Sequence, residues 1–296
     1  MTSLKSTLLK ATLKTISPLI GNADIQIQRR QTDYLSTLKK WYSGVYIKPA
    51  ELGEVKGEWF DVEGSPDKPV ILYFHGGAYV TGSLISSRVL AGEIAMAALL
   101  KTLSFEYRLA PEHPYPAALQ DALSAYNHLL ESGFEAKDIV FAGESAGGGL
   151  LLATAMALRE YGCELPAALV CLSPWTDLTC TGKSHTSNAE KDPMLRRDGL
   201  MESAKAYAGE VSLNLHHISP LYGKFDGFPP TLIQVGKDEV LYSDSEQLFK
   251  KMKKAGADAT LSSWDGMWHV WHIWEIREAH EALAQVGAFI HEKTGK

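Results

Sequence analysis

The chain has 296 residues, 45% of them apolar and 22% charged, with a net charge of −6. These proportions are those of a globular protein long enough to bury a large core, and the acidic balance excludes the basic surface of a nucleic-acid binder. No apolar run reaches the roughly 18 residues of a membrane-spanning helix, so no stable membrane insertion is expected.

Leu4, Leu8, Leu13, Ile16 and Ile20 recur at roughly helical spacing, which predicts an amphipathic helix lying on the protein. Lys5 and Lys10 precede no continuous apolar centre and no small-residue cleavage site, so a signal peptide is not expected. From about residue 55 short β-rich apolar runs alternate with helical patterns, the signature of a mostly parallel sheet. The predicted strands are Val70–Phe74, Thr102–Tyr107, Ile139–Ala142, Ala168–Leu172, Leu232–Val235 and Thr260–Trp264. Helices are predicted at Ala117–Leu130, Ala146–Tyr161, Ser243–Lys254 and about Ile273–His291. Two stretches break the alternation, about 1–45 and about 181–217, the second with a helical pattern at Gly199–Gly209. Both read as a small helical cap on one catalytic domain spanning 1–296. Cys163, Cys171 and Cys180 show neither a disulfide framework nor metal-ligand spacing and read as reduced thiols of a cytoplasmic protein.

Gly143-Glu144-Ser145-Ala146-Gly147 fits G-x-S-x-G between a predicted strand and a predicted helix, the context this motif requires. The sharp turn needs small flanking residues and projects the Ser145 hydroxyl as a nucleophile. His75-Gly76-Gly77-Ala78 follows the strand Val70–Phe74, where an oxyanion loop belongs. Gly76, Gly77 and Ala146 are the expected N–H donors, and His75 reads as a structural hydrogen-bonding residue. A serine nucleophile needs a base, and the base an orienting acid, in the chain order Ser, acid, His. Asp238 lies just past the strand Leu232–Val235 and is preferred to its neighbour Glu239; Asp244 reads as a first-turn helix acid. His269, just past the strand Thr260–Trp264, is the expected base, with His272 as rival. His113, His128, His185, His216 and His217 precede the acid and violate the order. Tyr79, Tyr207 and Trp268 are candidates for an aromatic substrate pocket.

Taken with Tyr107–Ala117, Ser173-Pro174-Trp175 and Asp192-Pro193-Met194, these motifs resemble the bacterial hormone-sensitive-lipase-like esterases of the α/β-hydrolase superfamily, over about residues 55–290. The resemblance implies an α/β-hydrolase fold, a mostly parallel sheet flanked by helices, with a helical cap. It also implies carboxylester hydrolysis of short acyl chains through a Ser-His-Asp triad and an acyl-enzyme, no cofactor, and a homodimer. Ala78 replaces the usual third glycine of the loop. Glu144 replaces the commoner Asp of the elbow, and a structural ion pair with Arg108 is expected for it. Alternatives are an amidase with the same triad and a non-catalytic receptor, as in the plant gibberellin receptors that resemble this family but lack the histidine. No G-x-G-x-x-G opens the first βα unit and no ligand cluster is visible, so neither dinucleotide nor metal chemistry is expected.

Overall fold

A computed structural model describes residues 2–20, 24–38 and 44–295; residues 1, 21–23 and 39–43 of the expected N-terminal cap segment lie outside it. The chain runs through α1 (Leu4–Ile20), α2 (Ile25–Thr37), β1 (Val45–Leu52), β2 (Val55–Val62), β3 (Val70–Phe74), α3 (Leu84–Ala98), β4 (Lys101–Phe105) and α4 (Ala117–Glu131). It continues through β5 (Ile139–Glu144), α5 (Ala146–Glu160), β6 (Ala168–Leu172), α6 (Ser184–Ser187), α7 (Arg197–Ala208), β7 (Thr231–Gly236), α8 (Tyr242–Lys254), β8 (Ala259–Trp264) and α9 (Arg277–Thr294).

The strands form one eight-stranded sheet in the order β1-β2-β4-β3-β5-β6-β7-β8. The pairs β1–β2 and β2–β4 are antiparallel; β4–β3–β5–β6–β7–β8 are parallel. The central strands β3, β6 and β7 are buried at every position, because helices cover both faces and leave no side facing water. Alternate side chains divide between two cores. Leu72, Phe74, Phe141, Leu169 and Ile233 pack with Leu119, Leu150 and Leu248 of α4, α5 and α8. Ile71, Tyr73, Val140 and Val170 pack with Ile94 of α3 and Val286 of α9.

The strand order reverses beside β3. The chain leaves β3 for β4 on one side and returns through β5 on the other. The resulting crevice at the carboxyl ends of β3 and β5 is where an open α/β sheet accommodates ligands. It lies between the expected oxyanion loop and Ser145.

The six predicted strands and the four predicted core helices are present, with ends shifted by up to four residues. The β1–β2 hairpin and α3 were not expected. Strand β1 is an edge strand with Lys48, Pro49 and Glu51 exposed, so it lacks the apolar run that marks a buried strand. In α1 the docked face shares Leu13 with the expected one but is turned away from Leu4, Leu8 and Ile16. Leu4, Leu8 and Ile16 point to solvent, whereas Leu9 and Leu13 pack on Met267, Trp268 and Trp271. Polar anchors choose this face: Ser3 and Ser6 donate to the Glu278 carboxylate, and Lys10 pairs with Asp238. Among the described residues no helix is long and apolar enough to cross a membrane.

Helices α3 and α9 touch closely at Gly287, where a Cβ would lie 2.8 Å from the Ala97 carbonyl carbon. Gly287→Ala should therefore destabilise the fold by about 1–3 kcal/mol through overpacking, read from the shift of the urea midpoint. Unchanged stability would contradict the contact.

Candidate active site

Ser145 joins β5 to α5 with φ 54° and ψ −121°, a strained conformation for a residue with a side chain. The neighbouring glycines permit the turn. A Cβ on Gly143 would lie 2.7 Å from the Phe74 carbonyl oxygen, and one on Gly147 would collide with the same atom. Backbone bonds hold the serine in place: its N–H donates to Leu172 O (2.9 Å), and its carbonyl accepts from Trp175 N (2.9 Å).

Two loops bring the remaining groups to the serine. The Ser145 Oγ lies 2.9 Å from His269 Nε2. On the other side of the ring, His269 Nδ1 lies 3.1 Å from an oxygen of Glu239, not of Asp238. The preference for Asp238 is thus corrected by one residue. After β7 the chain makes a tight turn, Glu239 N–H donating to Gly236 O (3.2 Å), which returns the fourth residue over the strand end. Asp238, one residue earlier, points outward to Lys10.

Glu239 is fully buried. Its Oε1 accepts from Ser173 Oγ (2.7 Å) and Gly236 N–H (2.6 Å), while Oε2 faces His269. Burial raises the Glu239 pKa, while the hydrogen bond and field of His269 and the bond from Ser173 work against that rise. Ser173 also accepts from Val270 N–H (3.2 Å), so one hydroxyl ties the acid to the loop that carries the base. His272, the rival base, is buried with Nε2 on Gln234 Oε1 (2.9 Å). Burial lowers its pKa to about 3, keeping it a neutral structural group.

The expected oxyanion loop, His75–Ala78, differs from expectation at one donor. Gly76 N–H is already engaged, donating to Glu144 Oε1 at 2.7 Å. The next amides, Gly77 and Ala78, and that of Ala146 have no acceptor among the described residues. Gly77, Ala78 and Tyr79 all take positive φ, 115°, 54° and 64°, which turns this stretch sharply above Ser145. His75 is structural, as expected. Its Nδ1 contacts Gly76 O, its ring stacks on Tyr107 at 4.1 Å, and burial lowers its pKa to about 4.

Glu144 does not pair with Arg108, which binds Asp121 instead. Its second oxygen accepts from the Tyr73 hydroxyl. The elbow acid thus braces the His75–Ala78 loop, a role its place in the sequence did not reveal. Burial pushes its carboxyl up to about 7, against the hydrogen bonds from Tyr73 and Gly76 and the field of His269.

The helices outside the core converge on the same loops. Tyr207 of α7 stacks on Tyr79 with centroids 3.7 Å apart, both rings buried. Arg29 of α2 donates to Val80 O and Ala110 O, and Lys10 of α1 reaches Gly266 O. Trp268, expected in a substrate pocket, instead lies fully buried beneath α1 with Met267 and Trp271. The turn after β8 that aims His269 at Ser145 sends its predecessor into that cluster.

Comparison with known proteins identifies the family of the chain. A family profile described as alpha/beta hydrolase fold matches residues 71–273. An acetyl-hydrolase of Streptomyces hygroscopicus is 40% identical over 247 residues, covering 83% of this chain and 82% of that protein. An esterase of Acinetobacter venetianus is 35% identical, with 88% and 86% covered. Among solved structures, an esterase of the bacterial hormone-sensitive lipase family superposes with a TM-score of 0.94 at 36% identity, over all of both chains. The esterase EstE5, soaked with p-nitrophenyl butyrate, gives 0.93 at 35% identity, over 99% of this chain and all of its own. The chain belongs to the α/β-hydrolase family, among the bacterial hormone-sensitive-lipase esterases.

The raised Glu144 pKa has a definite sign. The folded chain holds a proton there that the unfolded chain releases near the ordinary value of 4.5. The stability contributed by the protonated form is present below that value and is lost as pH rises through about 7. Between pH 5 and 8 the wild type should lose about 1–3 kcal/mol relative to Glu144→Gln, whose amide can still accept from Gly76. Urea unfolding of both proteins at each pH measures this. A difference independent of pH would contradict the buried, titrating carboxyl.

Proposed function

We propose that this carboxylester hydrolase cleaves short-chain acyl esters through an acyl-enzyme on Ser145, with His269 as base and Glu239 as the acid that orients it. The observation that carries this reading is the continuous chain Ser145 Oγ, His269 Nε2, His269 Nδ1, Glu239 Oε2, with steps of 2.9 and 3.1 Å. With Nδ1 donating to the carboxylate, Nε2 is left to accept the serine proton. Ser145 Oγ attacks the ester carbonyl, and its proton passes to His269, which then protonates the departing alkoxide. Water, deprotonated by the same nitrogen, releases the acid. Glu239 stabilises the imidazolium formed in both halves.

The developing oxyanion is held by the N–H groups of Gly77, Ala78 and Ala146. Gly76 is excluded as a donor because its amide serves Glu144. The loss of one such donor typically costs about 3 kcal/mol of barrier. The cap consists of the described helices within about 1–45 and 181–217. Its stacked Tyr79–Tyr207 pair, both rings buried, backs the acyl pocket from behind the loop beside Ser145. The butyrate ester soaked into the EstE5 relative supports a short-acyl preference.

On p-nitrophenyl esters, kcat/KM should peak between acetate and butyrate and decline gradually with chain length, since an apolar pocket discriminates weakly per methylene. A maximum at decanoate or longer would contradict the short-acyl reading. Ser145→Ala should lower kcat by roughly 10⁶-fold, and matched anilides should turn over more slowly than the esters. Faster anilide cleavage would make the protein an amidase using the same groups.

A further inference from the structure

Glu160, His216 and His217 lie far from the chemistry described above, and the fold gathers them at one place. Glu160 is the last residue of α5, and the histidines follow α7 in the segment leading to β7. Their separation in sequence hides them, which corrects the expectation that the chain contains no ligand cluster. We propose that Glu160, His216 and His217 form a binding site for a divalent transition-metal ion of the zinc class.

The geometry is close to what such an ion requires. One ligand atom from each residue lies within 4.8 Å of the other two. His216 Nε2 is 2.8 Å from Glu160 Oε1, and His217 Nε2 is 3.1 Å from Glu160 Oε2. The imidazoles are neighbours, with centroids 4.2 Å apart. Zinc bonds of about 2.0–2.1 Å at tetrahedral angles place ligand atoms roughly 3.3 Å from one another. The three side chains therefore need to shift by only about an ångström to receive an ion. His217 Nε2 is buried and lacks the alignment of a hydrogen bond to its carboxylate neighbour, so an ion would satisfy an atom that the ion pair does not.

The donor set selects the class of metal. Two imidazole nitrogens and one carboxylate suit zinc and its neighbours, whereas magnesium and calcium prefer all-oxygen shells. Glu160 and His216 are partly exposed, which leaves a fourth position to water. The site is remote from the nucleophile: the fifteen residues of α5 span about 22 Å at 1.5 Å per residue. Bound metal acts here as a clamp, tying the segment after α7 to the end of the helix that begins at Ser145.

Isothermal titration of ZnCl₂ into the metal-stripped full chain tests the site. Cys163 is an exposed thiol three residues beyond Glu160, so the titration is repeated in Cys163→Ser. One ion should bind per chain in both proteins. Affinity should fall at least about 10–100-fold in Glu160→Gln and in His217→Ala, since loss of even an outer-shell partner costs that much. ZnCl₂ should raise the thermal midpoint of the wild type but not of these variants, while MgCl₂ should not raise it. If His217→Ala fails to fold, the more exposed His216→Ala serves in its place. Absence of equimolar binding to the wild type, equal affinity in the ligand variants, or loss of binding in Cys163→Ser would each overturn the proposal.

Discussion

The site depends on one buried hydrogen bond, from His269 Nδ1 to Glu239 Oε2. A carboxylate taken out of water is costly unless it is well paired. Here each oxygen is occupied, one by Ser173 and Gly236 and the other by the imidazole. This arrangement fixes the ring, which spans from the end of β7 to the turn after β5. Ser173 adds rigidity by bonding to the acid and to the backbone that follows the base. Ser145, Glu239 and His269 thus come from loops following three strands, held as one hydrogen-bonded unit.

The loop on the other side of Ser145 is built by comparable means. The reversal of strand order beside β3 sets His75–Ala78 against Ser145, and Glu144 spends one oxygen on the Gly76 amide and the other on Tyr73. Glu144 thereby engages the first amide of the loop and leaves those of Gly77 and Ala78 without an acceptor among the described residues. The outer helices then press on these same loops: Tyr207 on Tyr79, Arg29 on Val80 and Ala110, Lys10 on Gly266. These contacts fix the outer helices to the loops around Ser145 and His269, where precise positions matter to the proposed chemistry.

Much of this was legible in the sequence because local rules and tertiary structure agree there. Continuous apolar runs marked the buried strands, and the glycines around Ser145 marked a turn that tolerates no side chain at Gly143 or Gly147. His269 followed from chain order. The sequence points to Asp238 rather than to Glu239, the actual partner of His269, because the two are adjacent and both follow the strand. What separates them is the turn from Gly236, and its only sequence trace is that Asp238 follows Lys237 while Glu239 precedes apolar Val240 and Leu241. The engagement of Gly76 is hidden for a different reason: its amide is claimed by Glu144, 68 residues away. Helix α1 docks through Ser3, Ser6 and Lys10, partners that hydrophobic periodicity does not register.

The most direct test of the central claim compares Glu239→Gln with Asp238→Asn, each measured as kcat on a short p-nitrophenyl ester. The account predicts a fall of about 10⁴-fold for Glu239→Gln, the size seen when a triad carboxylate is neutralised, and near wild-type turnover for Asp238→Asn. The opposite outcome, full activity in Glu239→Gln with collapse in Asp238→Asn, would contradict it.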